Sequence, residues 1–200
     1  MYTKEDFINN FKEMGLLPTD TVFVHSSYKR IAGDVGIENR GETIIEAFIE
    51  YFGKSGLVVF PTMTWKIGYY INDNNPDDAL TPYENPGDNY HTSTHFDVLN
   101  TSCEYLGIMP ELFRRYPGVI RSLCPTSSVA AFGPDAEDFC SGHDTAETPF
   151  SWSSPWGKLH ERNAKFLFLG TGIACNTFMH VLEEHAEVPN LLHPISGSLQ

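Results

Sequence analysis

Two short apolar runs with an amphipathic stretch between them constrain this chain more than any other feature. Thr21-Val-Phe-Val-His25 and Gly56-Leu-Val-Val-Phe-Pro-Thr62 have the length and content of buried strands. Between them, Gly41 to Tyr51 turns Ile44, Ile45, Phe48 and Ile49 to one face of a helix. Strand, crossover helix, strand is a βαβ unit, so the two strands are expected to run parallel in an α/β fold.

A second strand-to-helix transition carries the functional signal. Phe166 to Leu169 reads as a buried strand, Gly170-Thr-Gly172 allows a sharp turn, and Asn176 is a good N-cap for a helix over Thr177 to Ala186, stopped before Pro189. That helix carries His180, with Glu183 and Glu184 one turn further on and on the same side. A His near the front of a helix that follows a strand end suits chemistry at the edge of a sheet. Three readings are open for His180: a general base oriented by a carboxylate, a metal ligand, or an ordinary helix histidine with solvated glutamates behind it. The metal reading is disfavoured, because the next histidine is His185 at i+5, about 140° round the helix instead of one turn on.

The remaining elements follow in order. Thr3-Lys-Glu-Asp6 is a capping-box start for a helix with Phe7, Ile8, Phe11 and Met14 inward, ended at Gly15. Residues 66–97 form a long polar excursion with an acidic run at Asp73, Asp77 and Asp78, either a solvated surface or a greeting for a cation. Tyr105 to Arg115 reads as a helix with Pro110 in its first turn. Thr126-Ser-Ser-Val-Ala-Ala-Phe-Gly133 is a hydroxyl cluster running into a small apolar strand. Asp135 to Ser141 is a short helical piece, and Ser154-Pro-Trp156 precedes a helix start at Gly157-Lys-Leu-His160. Ser26 and Ser27, after His25, are either turn residues or ligand-binding hydroxyls, and the sequence does not separate the two.

Composition narrows the partners. Two hundred residues with a 41% hydrophobic and 13% aromatic content suggest one globular domain. A formal charge of −13 disfavours nucleic acid and anionic membranes and favours cationic ligands, although it equally serves solubility. Cys103, Cys124, Cys140 and Cys175 have no zinc-site spacing. With no signal peptide and no membrane-length apolar run in sight, a cytoplasmic protein with free thiols is the expectation.

Seven segments, in order, resemble the aminoglycoside 3-N-acetyltransferase family, which is structurally unrelated to the GNAT acetyltransferases. They are Val24-His-Ser-Ser27, Leu57 to Trp65, Tyr105 to Glu111, Pro117 to Ser122, Pro125 to Gly133, Thr148-Pro-Phe150 with Ser154-Pro-Trp156, and Asn176 to Glu183. Any one is weak; their shared order makes them strong. The resemblance implies a single acetyltransferase domain over residues 1–200, folded as a three-layer α/β/α sandwich with a mixed, partly parallel sheet. It implies acetyl-CoA as donor, an aminoglycoside or similar amine as acceptor, and direct transfer in a ternary complex without metal.

Carried over by position, His180 is the general base and Glu183 its orienter. His25, Ser26, Ser27, Thr126, Ser127, Ser128 and Val129 lie on the coenzyme A side, with backbone N–H groups near Ser127–Val129 facing the oxyanion. Trp65, His143 and Asp144 fall near the acceptor. Two departures stand out: Ser127 occupies a position where some members have an imidazole, and members typically run several dozen residues further, so late strands are expected to be missing. The alternatives are a non-catalytic CoA- or amine-binding protein and a zinc hydrolase on His180 and His185. Oligomeric state is open, a homodimer included.

Overall fold

The computed structural model of the chain describes residues 1–64, 96–103 and 106–186. Trp65 and the acidic run at Asp73, Asp77 and Asp78 lie outside the described residues. Within them, the strands are β1 (Thr21–Ser26), β2 (Leu57–Pro61), β3 (Ile120–Arg121), β4 (Val129–Phe132) and β5 (Lys165–Leu169). The helices are α1 (Lys4–Glu13), α2 (Tyr28–Ala32), α3 (Gly41–Phe52), α4 (Ile108–Arg114), α5 (Ala136–Cys140), α6 (Pro155–Glu161) and α7 (Met179–His185).

The sheet has the order β3-β4-β2-β1-β5. β1 pairs parallel with β2, Thr21 opposite Leu57, and parallel with β5, His25 opposite Phe168. The β1–α3–β2 unit is therefore parallel, as the sequence pattern requires. β4 runs antiparallel to both β2 and β3, so the sheet is mixed.

Alternation along each strand builds two cores. Val22, Val24, Val58, Phe60 and Ala130 face one side, packed with Phe11, Ile44, Phe48, Phe52, Met109 and Phe113 from α1, α3 and α4. Phe23, Leu57, Val59, Val129 and Ala131 face the other, with Phe139, Trp156, Leu159, Phe178 and Val181 from α5, α6 and α7 or just before it. Burying both faces is what a sheet with parallel crossovers demands, and the result is a three-layer α/β/α sandwich.

Several element boundaries differ from the sequence expectation. α1 opens with the expected capping box, Thr3 Oγ1 accepting from the Asp6 amide while Asp6 accepts from the Thr3 amide. α6 begins at Pro155 instead of Gly157, because Ser154 caps it and proline is tolerated where no intrahelical N–H bond is needed. β5 is only partly buried: Leu167 is covered while Phe166, Phe168 and Leu169 are half-buried. Its place at the end of the strand order explains this, since among the described residues it pairs with β1 alone.

Gly170 brings the end of β5 against the end of β1. Its φ of +66° is in the left-handed region, and an added Cβ would sit 2.9 Å from the Ser27 carbonyl oxygen and 3.0 Å from Arg30 Cβ. Gly170→Ala is expected to cost about 1–3 kcal/mol of stability in urea unfolding. A cost indistinguishable from zero would show that this approach is not tight.

Candidate active site

The carboxyl ends of β1, β2 and β5 and the beginning of antiparallel β4 meet at one sheet edge. The Thr62 amide donates to the Ser128 carbonyl at 2.8 Å, fastening the residues after β2 to those before β4. An edge of this kind is where α/β sheets bind ligands.

After β5 the chain does not enter a helix at Thr177. Ile173–Cys175 forms a 3₁₀ turn, Asn176 is extended, and α7 starts at Met179. Asn176 Oδ1 still accepts from a backbone amide, that of Phe178 at 3.3 Å, but it caps a turn two residues ahead of the helix. Phe178 is anchored on Phe166 with ring centroids 5.0 Å apart. His180 thereby becomes the second residue of α7.

His180 Nδ1 lies 2.8 Å from Glu183 Oε2. A carboxylate only accepts, so Nδ1 carries a proton, and in the neutral ring the Nε2 lone pair is then the one left unprotonated. The side chains are 41% and 26% exposed, so this pair is open to a ligand and not sealed in the core. Such an arrangement can take a proton at Nε2 and stabilise the imidazolium that forms. Thr148 Oγ1 donates to Glu184 Oε1, so the second glutamate is tied to the facing loop. His185 instead stacks on Trp152 at 4.1 Å, and among the described residues no group of three His, Cys, Asp or Glu is placed to hold a metal.

Rings connect α7 to the sheet. Phe150 lies 5.2 Å from the His180 ring and 5.3 Å from Trp156, and Trp156 lies 5.2 Å from Phe23. His25 packs edge-on to Phe23 at 5.0 Å and stacks on Phe168 with 8° between planes, so it shares the α7 face of the sheet. Burial pushes the His25 pKa down to about 4. Its Nε2 is buried without a hydrogen-bond partner among the described residues, as is Ser26 Oγ. Ser27 sits at the N-cap of α2 but makes no side-chain cap bond, which leaves its hydroxyl uncommitted there.

The hydroxyl cluster before β4 divides in two. Thr126 Oγ1 and Ser127 Oγ lie 3.3 Å apart, Thr126 half-buried and Ser127 buried. Ser128 is fully buried, its hydroxyl donating to the Thr62 carbonyl at 2.7 Å and accepting from Arg121 Nε at 3.1 Å. The Val129 amide is not free to face an oxyanion, because it donates to Ser122 Oγ at 3.0 Å. Trp156 Nε1 donates to the Ser127 carbonyl at 2.8 Å. His143 is buried, with Nδ1 2.8 Å from Ser122 Oγ and Nε2 3.1 Å from the Pro149 carbonyl, while its neighbour Asp144 is exposed. The parts played by Phe150, Thr148 and Trp156 escaped the sequence reading, although the Thr148-Pro-Phe150 and Ser154-Pro-Trp156 matches mark the place.

Two buried imidazoles give the fold an acid sensitivity. His143, like His25, is pushed down to about 4 by burial. Their folded pKa values lie below the unfolded value of about 6.5, so the unfolded chain binds more protons between those limits. Stability is expected to fall as pH drops from about 6.5 towards 4, with unfolding near pH 5 taking up nearly one proton per histidine. Urea unfolding across that range checks this, and a flat profile would contradict it.

A profile of the family described as aminoglycoside 3-N-acetyltransferase matches residues 23–196. The chain is 29% identical over 188 residues to aminoglycoside N(3)-acetyltransferase IV of Salmonella sp, covering 94% of this chain and 61% of that protein. The solved structure of AAC-IIIb in a binary complex with CoASH superposes with a TM-score of 0.77 at 27% identity, covering 94% of this chain and 66% of that one. A mutant of aminoglycoside acetyltransferase AAC(3)-IVa in complex with apramycin gives 0.70 at 28% identity, covering 94% and 64%. The chain spans about three-fifths of the length of the curated relatives it matches. With the fold, the ordered segments and the profile in agreement, the chain belongs to the aminoglycoside 3-N-acetyltransferase family.

Proposed function

We propose that this chain is an acetyl-CoA-dependent N-acetyltransferase that modifies an amino group of an aminoglycoside, the 3-amino group of 2-deoxystreptamine, by direct transfer. The observation that carries this is the half-open His180–Glu183 pair, 2.8 Å between Nδ1 and Oε2, on the helix that follows β5 in a chain of this family. An ammonium has no lone pair to attack a thioester, so the acceptor nitrogen must lose a proton at or before attack. Nε2 of His180 takes that proton, and Glu183 balances the imidazolium. The neutral nitrogen then bonds to the thioester carbonyl carbon, and the C–S bond breaks. The second proton shed by the nitrogen ends on the departing sulfur to give the thiol of coenzyme A, and the proton held by His180 returns to solvent.

Relatives complexed with CoASH and with apramycin support the donor and the acceptor class. On this chain, the Ser26, Ser27, Thr126 and Ser127 hydroxyls and the buried His25 ring are the groups left to meet the donor, since Ser128 and Val129 are bonded within the sheet edge. Exposed Asp144 and the net charge of −13 favour a polycationic sugar. His143 is buried and hydrogen-bonds the Pro149 carbonyl, so it supports that loop, and Trp65 is assigned to the acceptor side by the family resemblance alone. Such chemistry fits a cytoplasmic antibiotic-resistance enzyme.

A thiol-release assay with acetyl-CoA and an aminoglycoside panel that includes apramycin tests the reading. His180→Ala is expected to lower turnover by about 10²–10⁴-fold while calorimetry shows CoA binding nearly unchanged. Glu183→Gln is expected to lose less, since it disturbs tautomer and orientation and leaves the base in place. Wild-type protein that binds CoA without acetylating any amine would overturn the proposal.

A further inference from the structure

The loop from Gly142 to Ser153 lies across from α7; Phe150 packs it on Trp156, and among the described residues its side-chain hydrogen bond to the residues bordering β3 and β4 runs through His143. The Pro149 carbonyl can only accept, so His143 Nε2 carries the ring proton and donates to it at 3.1 Å. Nδ1 then accepts from the Ser122 hydroxyl at 2.8 Å, and Ser122 Oγ in turn accepts the Val129 amide at 3.0 Å. Both ring nitrogens and the hydroxyl are satisfied in a relay from the start of β4, across Ser122 just after β3, to the loop. Burial keeps the ring neutral, with its pKa pushed down to about 4.

The residues on either side of Pro149 are those that touch α7. Thr148 donates to Glu184, and the Phe150 ring lies 5.2 Å from that of His180. A turn fixes them to one another, Ser151 Oγ donating to the Thr148 carbonyl at 3.0 Å. Moving the Pro149 carbonyl therefore moves both contacts together. We propose that His143 is a positioning residue, which ties the Ser122 hydroxyl to the Pro149 carbonyl and so holds Phe150 and Thr148 against the part of α7 that carries His180. It touches no substrate: its ring is buried under the loop. The inference concerns how the site is held and, in its kinetic consequence, rests on the acetyl-transfer reading.

Two amide substitutions separate the halves of the relay. In His143→Gln the side-chain amide nitrogen can occupy the place of Nε2 and donate to Pro149. In His143→Asn the shorter amide oxygen can replace Nδ1 and accept from Ser122, while the loop contact is lost. The ring signals of His180, assigned with His180→Ala, are expected to move in H143N and to stay in place in H143Q. Turnover of H143N is expected to fall about 10- to 100-fold with both KM values nearly unchanged, and H143Q is expected to recover it. Ser122→Ala, a smaller deletion, is expected to move the same signals and covers the case in which H143N does not fold. If the wild-type protein acetylates no amine, the functional reading fails and the spectroscopic arm alone decides the role of His143. Unmoved His180 signals in H143N and S122A, or equal behaviour of H143N and H143Q, would overturn the proposal.

Discussion

Everything in this molecule depends on keeping both faces of β1 and β2 dry. Val22, Val24, Phe23, Val58, Phe60 and Val59 are all fully buried, alternately to one side and the other. A pair of parallel strands can be closed only by a crossover element, so α3 must return over one face and a second layer must cover the opposite one. That requirement puts α1, α3 and α4 on one side and α5, α6 and α7 on the other. It also sends the strand ends to a common edge, where backbone groups and short polar side chains leave the apolar interior.

The His180–Glu183 pair is placed by the sheet that α7 packs on and not by the helix alone. β5 lies against β1 in parallel register, Gly170 lets the chain pass the Ser27 carbonyl closely, and α7 then crosses back over the Phe23 face. His180 ends up on α7 with one ring nitrogen fixed by Glu183 and the other without a hydrogen-bond partner among the described residues. The aromatic path from Phe23 through Trp156 and Phe150 to His180 gives the histidine a rigid neighbour on its core side. Rigid support of this kind is what holds a reacting group to the tolerance that catalysis needs.

Much of this was legible in the sequence because its signal is local. Strand alternation, the α3 stripe, the Thr3–Asp6 capping box and the i, i+3 spacing of His180 and Glu183 are all set within a few residues of chain. The order of seven segments added the family. What the sequence did not give was decided by partners distant in the chain. Ser128 and Val129 look like neighbours in a single hydroxyl-rich binding segment, yet Arg121, Thr62 and Ser122 take them into the sheet. The resemblance puts His143 and Asp144 together near the acceptor, but the Ser122 hydroxyl meets the buried His143 ring while Asp144 stays exposed. The start of α7 slipped from Thr177 to Met179 because Phe178 packs on Phe166, a contact with no local signature.

The central claim is that Glu183 fixes the tautomer of His180 and leaves Nε2 unprotonated. A long-range ¹H–¹⁵N correlation spectrum of the neutral imidazole, with the signal assigned by His180→Ala, tests it without any substrate. The structure predicts a protonated Nδ1 and an unprotonated Nε2, with the pattern lost in Glu183→Ala. A ring found with its proton on Nε2 would contradict the account.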